Sequence, residues 1–402
     1  MRTNVSVPTD GVWAGARHVI ATLRAAGHET WAAGGAVRDL LLGRPIHDVD
    51  VATAAPPEVV EQLFPRTIAV GKSFGVIIVS LAEGGRIEVA TFRADGLYVD
   101  GRRPTTIRFA SAAEDVARRD LTINALLLDP DSGDILDLVG GCADLEQRLI
   151  RAVGNAAARL GEDRLRVLRT LRFAAHLDFT IEAQTWSAVC TTEIRGLSAE
   201  RIVEEWRKTL AHSGAAAQRW AELLVTSGRL SEAFPGLVGV TAWPGLAALR
   251  ADDSEAVKLA LWLAPGKASA TWLAKLPMAR NLIETITWLL QQLDPQPWDQ
   301  DPRGAPAQRI VRLDPRAEAL ARLRTLARPD GPQLHSEVTR VKALGPFQPW
   351  LRSADVLARG VPPGPRLGAL LRQAEDLQLI GAWQDRDAAQ AWLVTQTGVP
   401  AG

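Results

Sequence analysis

The feature that most restricts this chain is a change of pattern near residue 141. Before it, short apolar runs with strand spacing alternate with helical stretches. Beyond it, the remainder is rich in Ala, Leu, Arg and Glu and carries helical spacing only, interrupted by proline clusters at 293–308, 327–333 and 360–368. Strands confined to one end predict an α+β fold, a head with a mixed sheet and helices followed by helices alone. A chain of 402 residues also exceeds the size at which single cores stop growing. We therefore expect a head over 1–140, a helical neck over 141–205, and a helical body and tail over 206–402. No internal repeat of fixed period is present.

Within the head, Val12, Ala16, Val19, Ile20 and Leu23 recur at helical spacing and predict a helix over 12–26. A strand is expected over 29–33, then a helix over 35–42 ended by Gly43. "HDVDVAT" (47–53) alternates as a half-buried strand should, and "APPEVVEQLF" (55–64) opens a helix with proline in its first turn. "TIAV", "GVIIVSL" and "RIEVATF" read as strands, the last two joined at Gly84-Gly85. "NALLLDPDSGDILDLV" (124–139) reads as a further hairpin.

Composition excludes several classes. The 46 basic and 46 acidic residues cancel, which argues against a generally basic nucleic-acid coat while leaving room for a local patch. No apolar run reaches about 18 residues and the start lacks a secretory pattern, so no membrane association and a cytoplasmic location are expected. Cys142 and Cys190 have no metal-ligand spacing and are expected as reduced thiols. Ten of the 13 tryptophans lie beyond residue 200, scattered singly, as helical core would place them; an aromatic surface for RNA is the alternative.

The stretch "WAAGGAVRDLLLGRPIHDVDVAT" (31–53) is not explained by packing. Asp48 and Asp50, two apart on an expected strand, project from one face. Two adjacent like charges repel, and a hard divalent cation such as Mg²⁺ would let them coexist. Glu88 on "RIEVATF" faces away from Ile87 and Val89; if its strand lies beside the first, three carboxylates converge. Such a set can hold two metals about 3.5–4 Å apart, the clamp of in-line nucleotidyl transfer. Gly34-Gly35 at a strand-to-helix turn let backbone N–H groups approach a phosphate, and Arg38 can grip one bidentately. Each feature alone has a plainer reading, a tight turn or a solvated strand edge. A dinucleotide-binding fold is excluded, because the full Gly-x-Gly-x-x-Gly pattern is absent.

"GGAVRDLLLGRPIHDVDVAT" (34–53) resembles the first motif of the class II tRNA nucleotidyltransferase and bacterial poly(A) polymerase family. "ARRDLTINAL" (117–126) is similar to that family's Arg-Arg-Asp motif, and "GEDRLRVLRTLRFAAHLDFTI" (161–181) to its Glu-Asp-x-x-Arg motif. The three occur in the family's order.

The resemblance implies roles. Arg119 and Asp120 would bind a triphosphate and a ribose hydroxyl, with Asn124 supporting their loop, whereas Arg118 reads as a solvated surface charge. Asp163 and Arg166 would read the incoming base. An ionised Asp only accepts hydrogen bonds and Arg only donates them, which matches cytosine or adenine and rejects uracil or guanine. Their plainer reading is a helical salt bridge, since three residues separate them. Arg169 and Arg172 would contact the nucleotide or its phosphates, or else solvate the helix while Leu165, Leu168 and Leu171 pack inward. The arginines at 151, 159, 164, 166, 169 and 172 outnumber Glu162 and Asp163, a local basic patch suited to a polyanion.

The implied activity is template-independent addition of C, C and A to the tRNA 3′ end. Its substrates would be CTP and ATP, with a two-metal Mg²⁺ site at Asp48 and Asp50 and Glu88 beside it. "YVDGRRP" (98–104) occupies the place of the loop that family members adding the last adenosine carry. "VGKSFGVIIV" (70–79) is closer to the tRNA-specific enzymes than to poly(A) polymerases, and no metal-dependent phosphohydrolase pattern follows. The tail region "DVLARGVPPGPRLGALLRQAED" (355–376) resembles that of many such enzymes, but a plain helix–helix connection reads equally well there. The alternatives are a poly(A) polymerase, an enzyme adding only A or only CC, an inactive RNA-binding module, and a small-molecule nucleotidyltransferase. No protein partner is implied.

Overall fold

The computed structural model describes residues 5–71, 75–82, 84–95, 107–266, 270–293, 301, 303–328 and 331–398. The "YVDGRRP" loop, with its bearing on adenosine addition, lies outside the described residues. The chain forms two compact units, one of Met1–His212 with Arg219–Phe234, the other of Ser213–Gln218 with Pro235–Gly402.

The first unit opens with α1 (Gly11–Ala25), β1 (Thr30–Ala33) and α2 (Gly35–Leu41). Next come β2 (Asp50–Thr53), α3 (Pro57–Leu63), β3 (Thr67–Gly71), β4 (Val76–Ser80) and β5 (Arg86–Thr91). A small hairpin of β6 (Arg93–Asp95) and β7 (Ile107–Phe109) precedes α4 (Ala112–Ala117), β8 (Leu127–Leu128) and β9 (Ile135–Leu136). The seven-stranded sheet runs β3-β4-β5-β2-β1-β8-β9. Only β2 and β5 pair in parallel, with Val51 opposite Val89, so the sheet is mixed as expected.

Strand alternation sorts the residues by face. Val51, Val79, Ile87 and Val89 pack with Trp13, Ile20 and Leu23 of α1 into the main core. Ala33 and Ala52 join a smaller cluster with Phe92, Val116 and Leu127. Asp50 and Glu88 share the parity of Ala52 and Ala90, so they leave the sheet on the face opposite α1. The strand begins at Asp50 rather than at residue 47, so Asp48 stands in the preceding loop and not on the strand as expected. Val49 between them is buried, which keeps the alternation going beyond the ladder.

Helices then follow: α5 (Gly141–Glu146), α6 (Ala156–Glu162), α7 (Leu165–Leu177), α8 (Ala183–Thr191) and α9 (Ala199–His212). Strands do not vanish after 141 as expected, because Leu149–Ile150 and Thr180–Ile181 form a short parallel pair. The boundary expected between 205 and 206 falls inside α9. The second unit is helical among its described residues. Trp262 is buried there on the helix Glu255–Leu263, and a separate small core gathers Leu351, Val356, Leu370 and Leu393 near the end of the chain. No helix of the described residues is long and apolar enough to cross a membrane. Neither Cys142 nor Cys190 is in a disulfide.

Candidate active site

One cleft of about 670 Å³ in the first unit receives Gly34, Gly35, Arg38, Asp50, Glu88, Arg119, Asp120, Asn124, Asp163, Arg166, Arg169 and Arg172. All the residues given a metal- or nucleotide-binding role from sequence thus line it, except Asp48.

At the acidic end, Ala33 of β1 pairs with Asp50, and Gly34 follows with φ +73° and ψ −130°, a conformation open to glycine. A Cβ on Gly34 would lie 3.4 Å from Nη1 of Arg119 and 3.9 Å from Oδ2 of Asp50. The bare backbone therefore lets a cation and a carboxylate approach the turn from two sides. Asp50 shows surface to the cleft while protein surrounds its other sides. That crowding first, then the charges of Glu88 and Asp48, push its carboxyl up to about 6, against the pull of Arg119. The three acids are thus electrostatic neighbours. They are not drawn into one ligand set as expected, since no group of three metal-ligating side chains gathers among the described residues.

The arginines are held by carboxylates that the sequence analysis did not single out. Arg38 is buried; its Nε and Nη2 donate to the two oxygens of Asp39, and its Nη1 donates to Oδ1 of Asn124 at 2.6 Å. Arg119 donates to Oδ2 of Asp115 and to the Asn124 carbonyl. Arg118 is no solvated surface charge: it donates to Oδ1 of the same buried Asp115 at 2.6 Å and lines the cleft. Asp115 precedes the two arginines by three and four residues, the helical ion-pair spacing, and that signal was available.

Asp120 accepts from Nε of Arg169 at 2.7 Å and from the Leu121 N–H. Burial works against its ionisation. The charge and hydrogen bond of Arg169 outweigh it, with help from the Leu121 N–H and the Arg166 charge, and bring the carboxyl down to about 2.

The base-reading pair corrects an expectation. Asp163 is not helical: at φ −136° and ψ 105° it separates α6 from α7. No Asp163–Arg166 salt bridge exists. Both Asp163 oxygens instead accept from Arg201 of α9, at 2.9 and 2.7 Å, and Oδ1 also takes the Leu165 N–H. Arg166 donates to Glu162 at 2.5 Å and to the carbonyls of Arg159 and Arg118. Arg172 does not solvate its helix either, being buried against Glu205 of α9. Leu165, Leu168 and Leu171 pack inward as expected.

The expected basic patch is largely compensated at short range. Arg151 meets Asp144, Arg159 meets Glu162, and Arg164 donates to the Arg195 carbonyl. Phe173, also missed, has the guanidinium carbons of Arg38, Arg169 and Arg172 within 5.1, 5.4 and 4.3 Å of its ring centre. A cation–π contact needs about 6 Å or less. One ring thus gathers three charges that would otherwise spread.

A mixed sheet bearing Gly-Gly and the carboxylates of Asp50 and Glu88, with an arginine-lined cleft beside them, fits the nucleotidyltransferase head that the sequence resemblance implies. The family model "Poly A polymerase head domain" matches residues 30–151, and "Probable RNA and SrmB-binding site of polymerase A" matches 178–239. Over these residues the chain is similar to members of the tRNA nucleotidyltransferase/poly(A) polymerase family. The CCA-adding enzyme of Streptococcus sanguinis (strain SK36) is 45% identical over 230 residues, 56% of each chain. That of Streptococcus mutans is 48% identical over 195 residues, 48% of each. The chain thus spans about half the length of these curated relatives. The crystal structure of the Bacillus stearothermophilus CCA-adding enzyme in complex with CTP superimposes with a TM-score of 0.80 at 28% identity, covering 97% of this chain and 98% of that one. The Thermotoga maritima CCA-adding enzyme, complexed with tRNA, shares the fold at a TM-score of 0.62 and 19% identity, covering 96% and 95%.

Proposed function

We propose that this protein extends the 3′ end of tRNA with C, C and A from CTP and ATP, without a nucleic-acid template. The observation that carries the reading is one cleft with a carboxylate end, Asp50 and Glu88, and a base-reading end, Asp163 and Arg166. The likeness to CCA-adding enzymes supports the choice of substrate. Head, neck, and body with tail over 1–140, 141–205 and 206–402 remain our division of labour, the last part binding tRNA.

In this reading the terminal 3′-oxygen of the tRNA attacks the α-phosphorus of the nucleotide. The new P–O bond forms as the bond to the β-phosphate oxygen breaks, the hydroxyl proton departs, and pyrophosphate leaves in line. Gly34 and Gly35 leave room for the triphosphate, and Arg38 and Arg119 balance its charge. Asp120, kept ionised, accepts from the ribose hydroxyl, with Asn124 steadying Arg38. Arg169 and Arg172 bring further positive charge to the same wall. Asp163 accepts from the amino group of cytosine or adenine while Arg166 donates to the ring nitrogen, an arrangement that uracil and guanine reverse.

Asp48 and Asp50, with Glu88 adjacent, suit Mg²⁺, because hard carboxylate oxygens crowded enough to raise the Asp50 carboxyl are relieved by a cation. Bound there, Mg²⁺ would lower the pKa of the 3′-hydroxyl and neutralise the leaving pyrophosphate.

The test is incorporation into tRNAs ending before CCA, after C-C, and after C-C-A, with CTP, ATP and both. We expect CTP alone to add two residues to the first, ATP alone to complete the second, and neither to extend the third. Long adenylate tails from ATP on unrelated RNA would overturn the reading in favour of a poly(A) polymerase.

A further inference from the structure

The second unit holds a cavity of about 350 Å³ bordered by the helices Ala305–Leu313, Gly331–Lys342 and Pro365–Leu379. Arg303, Arg312 and Arg340 line it, and no acidic side chain does. Guanidinium groups gathered in one hollow repel one another unless anions stand between them. Of the three, Arg340 alone has a carboxylate in hydrogen-bond contact: Nε and Nη2 donate to the two oxygens of Glu337 at 2.9 and 2.5 Å. Glu337 is shared already, because its Oε1 also accepts from Nε2 of Gln308.

Arg312 is the unusual member. Among the described residues its side chain makes no hydrogen bond and no ion pair, and its Nε is buried. Its guanidinium carbon lies 5.2 Å from the ring centre of Phe347, a contact that leaves every N–H unspent. Burial first, then the charge of Arg340, hold its pKa below the ordinary guanidinium range. A buried charged donor left unpaired costs more than a hydrogen bond gains. The helix Pro365–Leu379 ends at the cavity, but a helix C-terminus supplies only about half a negative charge against three cations.

The remaining lining is apolar or already satisfied. Gln378 accepts from the Trp350 N–H and donates to the Gln348 carbonyl. Leu344 and Ile380 stand 57% and 46% exposed at the same cavity. Arg312 keeps all five N–H groups and Arg340 keeps three, its other two being spent on Glu337. A phosphate with three free oxygens uses more of these donors than a two-oxygen carboxylate does.

We propose that this cavity is a second ligand site, which takes a small phosphate monoester with an apolar ester group. Arg312, Arg340 and Arg303 hold the phosphate, and Leu344 and Ile380 cover the ester group. An RNA backbone fits less well. Its neighbouring phosphates need further cations or water, where this cavity offers an exposed leucine and isoleucine. The inference does not depend on how the cleft of the first unit is read.

The test is isothermal titration calorimetry of the full chain with phenyl phosphate, inorganic phosphate and phenol at fixed ionic strength. The cleft of the first unit is also rich in arginine, so every titration is run in excess CTP. We expect phenyl phosphate to bind at least about fivefold more tightly than inorganic phosphate, and phenol not to bind. Arg312→Met should weaken phenyl phosphate at least about tenfold, with Arg312→Lys between the two because it lacks the fork. Arg312→Met should melt no lower than wild type, since the unpaired charge is gone. Leu344→Glu, at an exposed position, should weaken phenyl phosphate as much by repulsion. No heat from phenyl phosphate, or wild-type affinity in both Arg312→Met and Leu344→Glu, overturns the site. Equal affinity for phosphate and phenyl phosphate overturns the apolar half of it. If no small phosphate binds while Arg312→Met weakens tRNA binding, the cavity is an RNA surface and the proposal fails.

Discussion

Arg172 on α7 donates from Nε to Oε2 of Glu205 on α9 at 2.6 Å, and only 8% and 2% of the two side chains are exposed. Burying a pair of charges gains little net stability, but stranding one of them is costly. Glu205→Ala leaves the guanidinium without its carboxylate, so we expect a loss of about 3–5 kcal/mol in urea unfolding. Glu205→Gln keeps a carbonyl acceptor and should lose less. Replacing both residues by methionine should recover most of the loss, whereas two independent surface contacts would give additive losses.

Gly34 makes a second prediction, and its backbone is the reason. With φ at +73° and ψ at −130°, an alanine there is strained. Non-glycine residues held in such regions cost on the order of 1–3 kcal/mol. The added Cβ would also press on Nη1 of Arg119 from 3.4 Å, at the phosphate end of the cleft. Gly34→Ala should therefore lower stability by that amount and raise KM for CTP and ATP together. The choice of C over U should stay as in wild type, because Asp163 and Arg166 are untouched. A change of base choice in steady-state assays would mean that the two ends of the cleft do not act separately.

The contrast between these residues shows what the sequence could carry. The mixed sheet and the order of β1, α2 and β2 were legible because alternation and glycine punctuation are local signals. The gathering of Gly34, Asp50, Asp120 and Asp163 in one cleft was implied only by the family resemblance that the three motifs carry. Two things were not legible. The break at Asp163 has no proline and only Gly161 nearby, so "GEDRLRVLRTLRF" reads as one helix. The break is stabilised by Arg201, 38 residues away, which no local pattern announces. Arg38 and Asp39 are neighbours in sequence, and adjacent helical residues do not normally face each other. Their bidentate pairing depends on the long Arg38 side chain turning back over its own helix, between Asn124 and Phe173.

His176 gives the last prediction. Its ring stacks on that of His212 with centroids 4.3 Å apart, and its Nε2 is buried with no hydrogen-bond partner among the described residues. Burial first, then the charges of Arg172, His212, Arg44 and Arg38, hold its pKa down at about 2, from an ordinary 6.5. The unfolded chain therefore binds a proton below pH 6.5 that the native ring refuses. The contribution is fully present above that pH and is lost as pH falls below it, by about 1.4 kcal/mol per unit. His176→Phe keeps a flat ring in the stack and removes the proton site. We expect the stability of the variant relative to wild type to rise by about 2 kcal/mol between pH 7.5 and pH 5, measured by urea unfolding. Parallel pH profiles for the two proteins would show that His176 takes up a proton in the folded state.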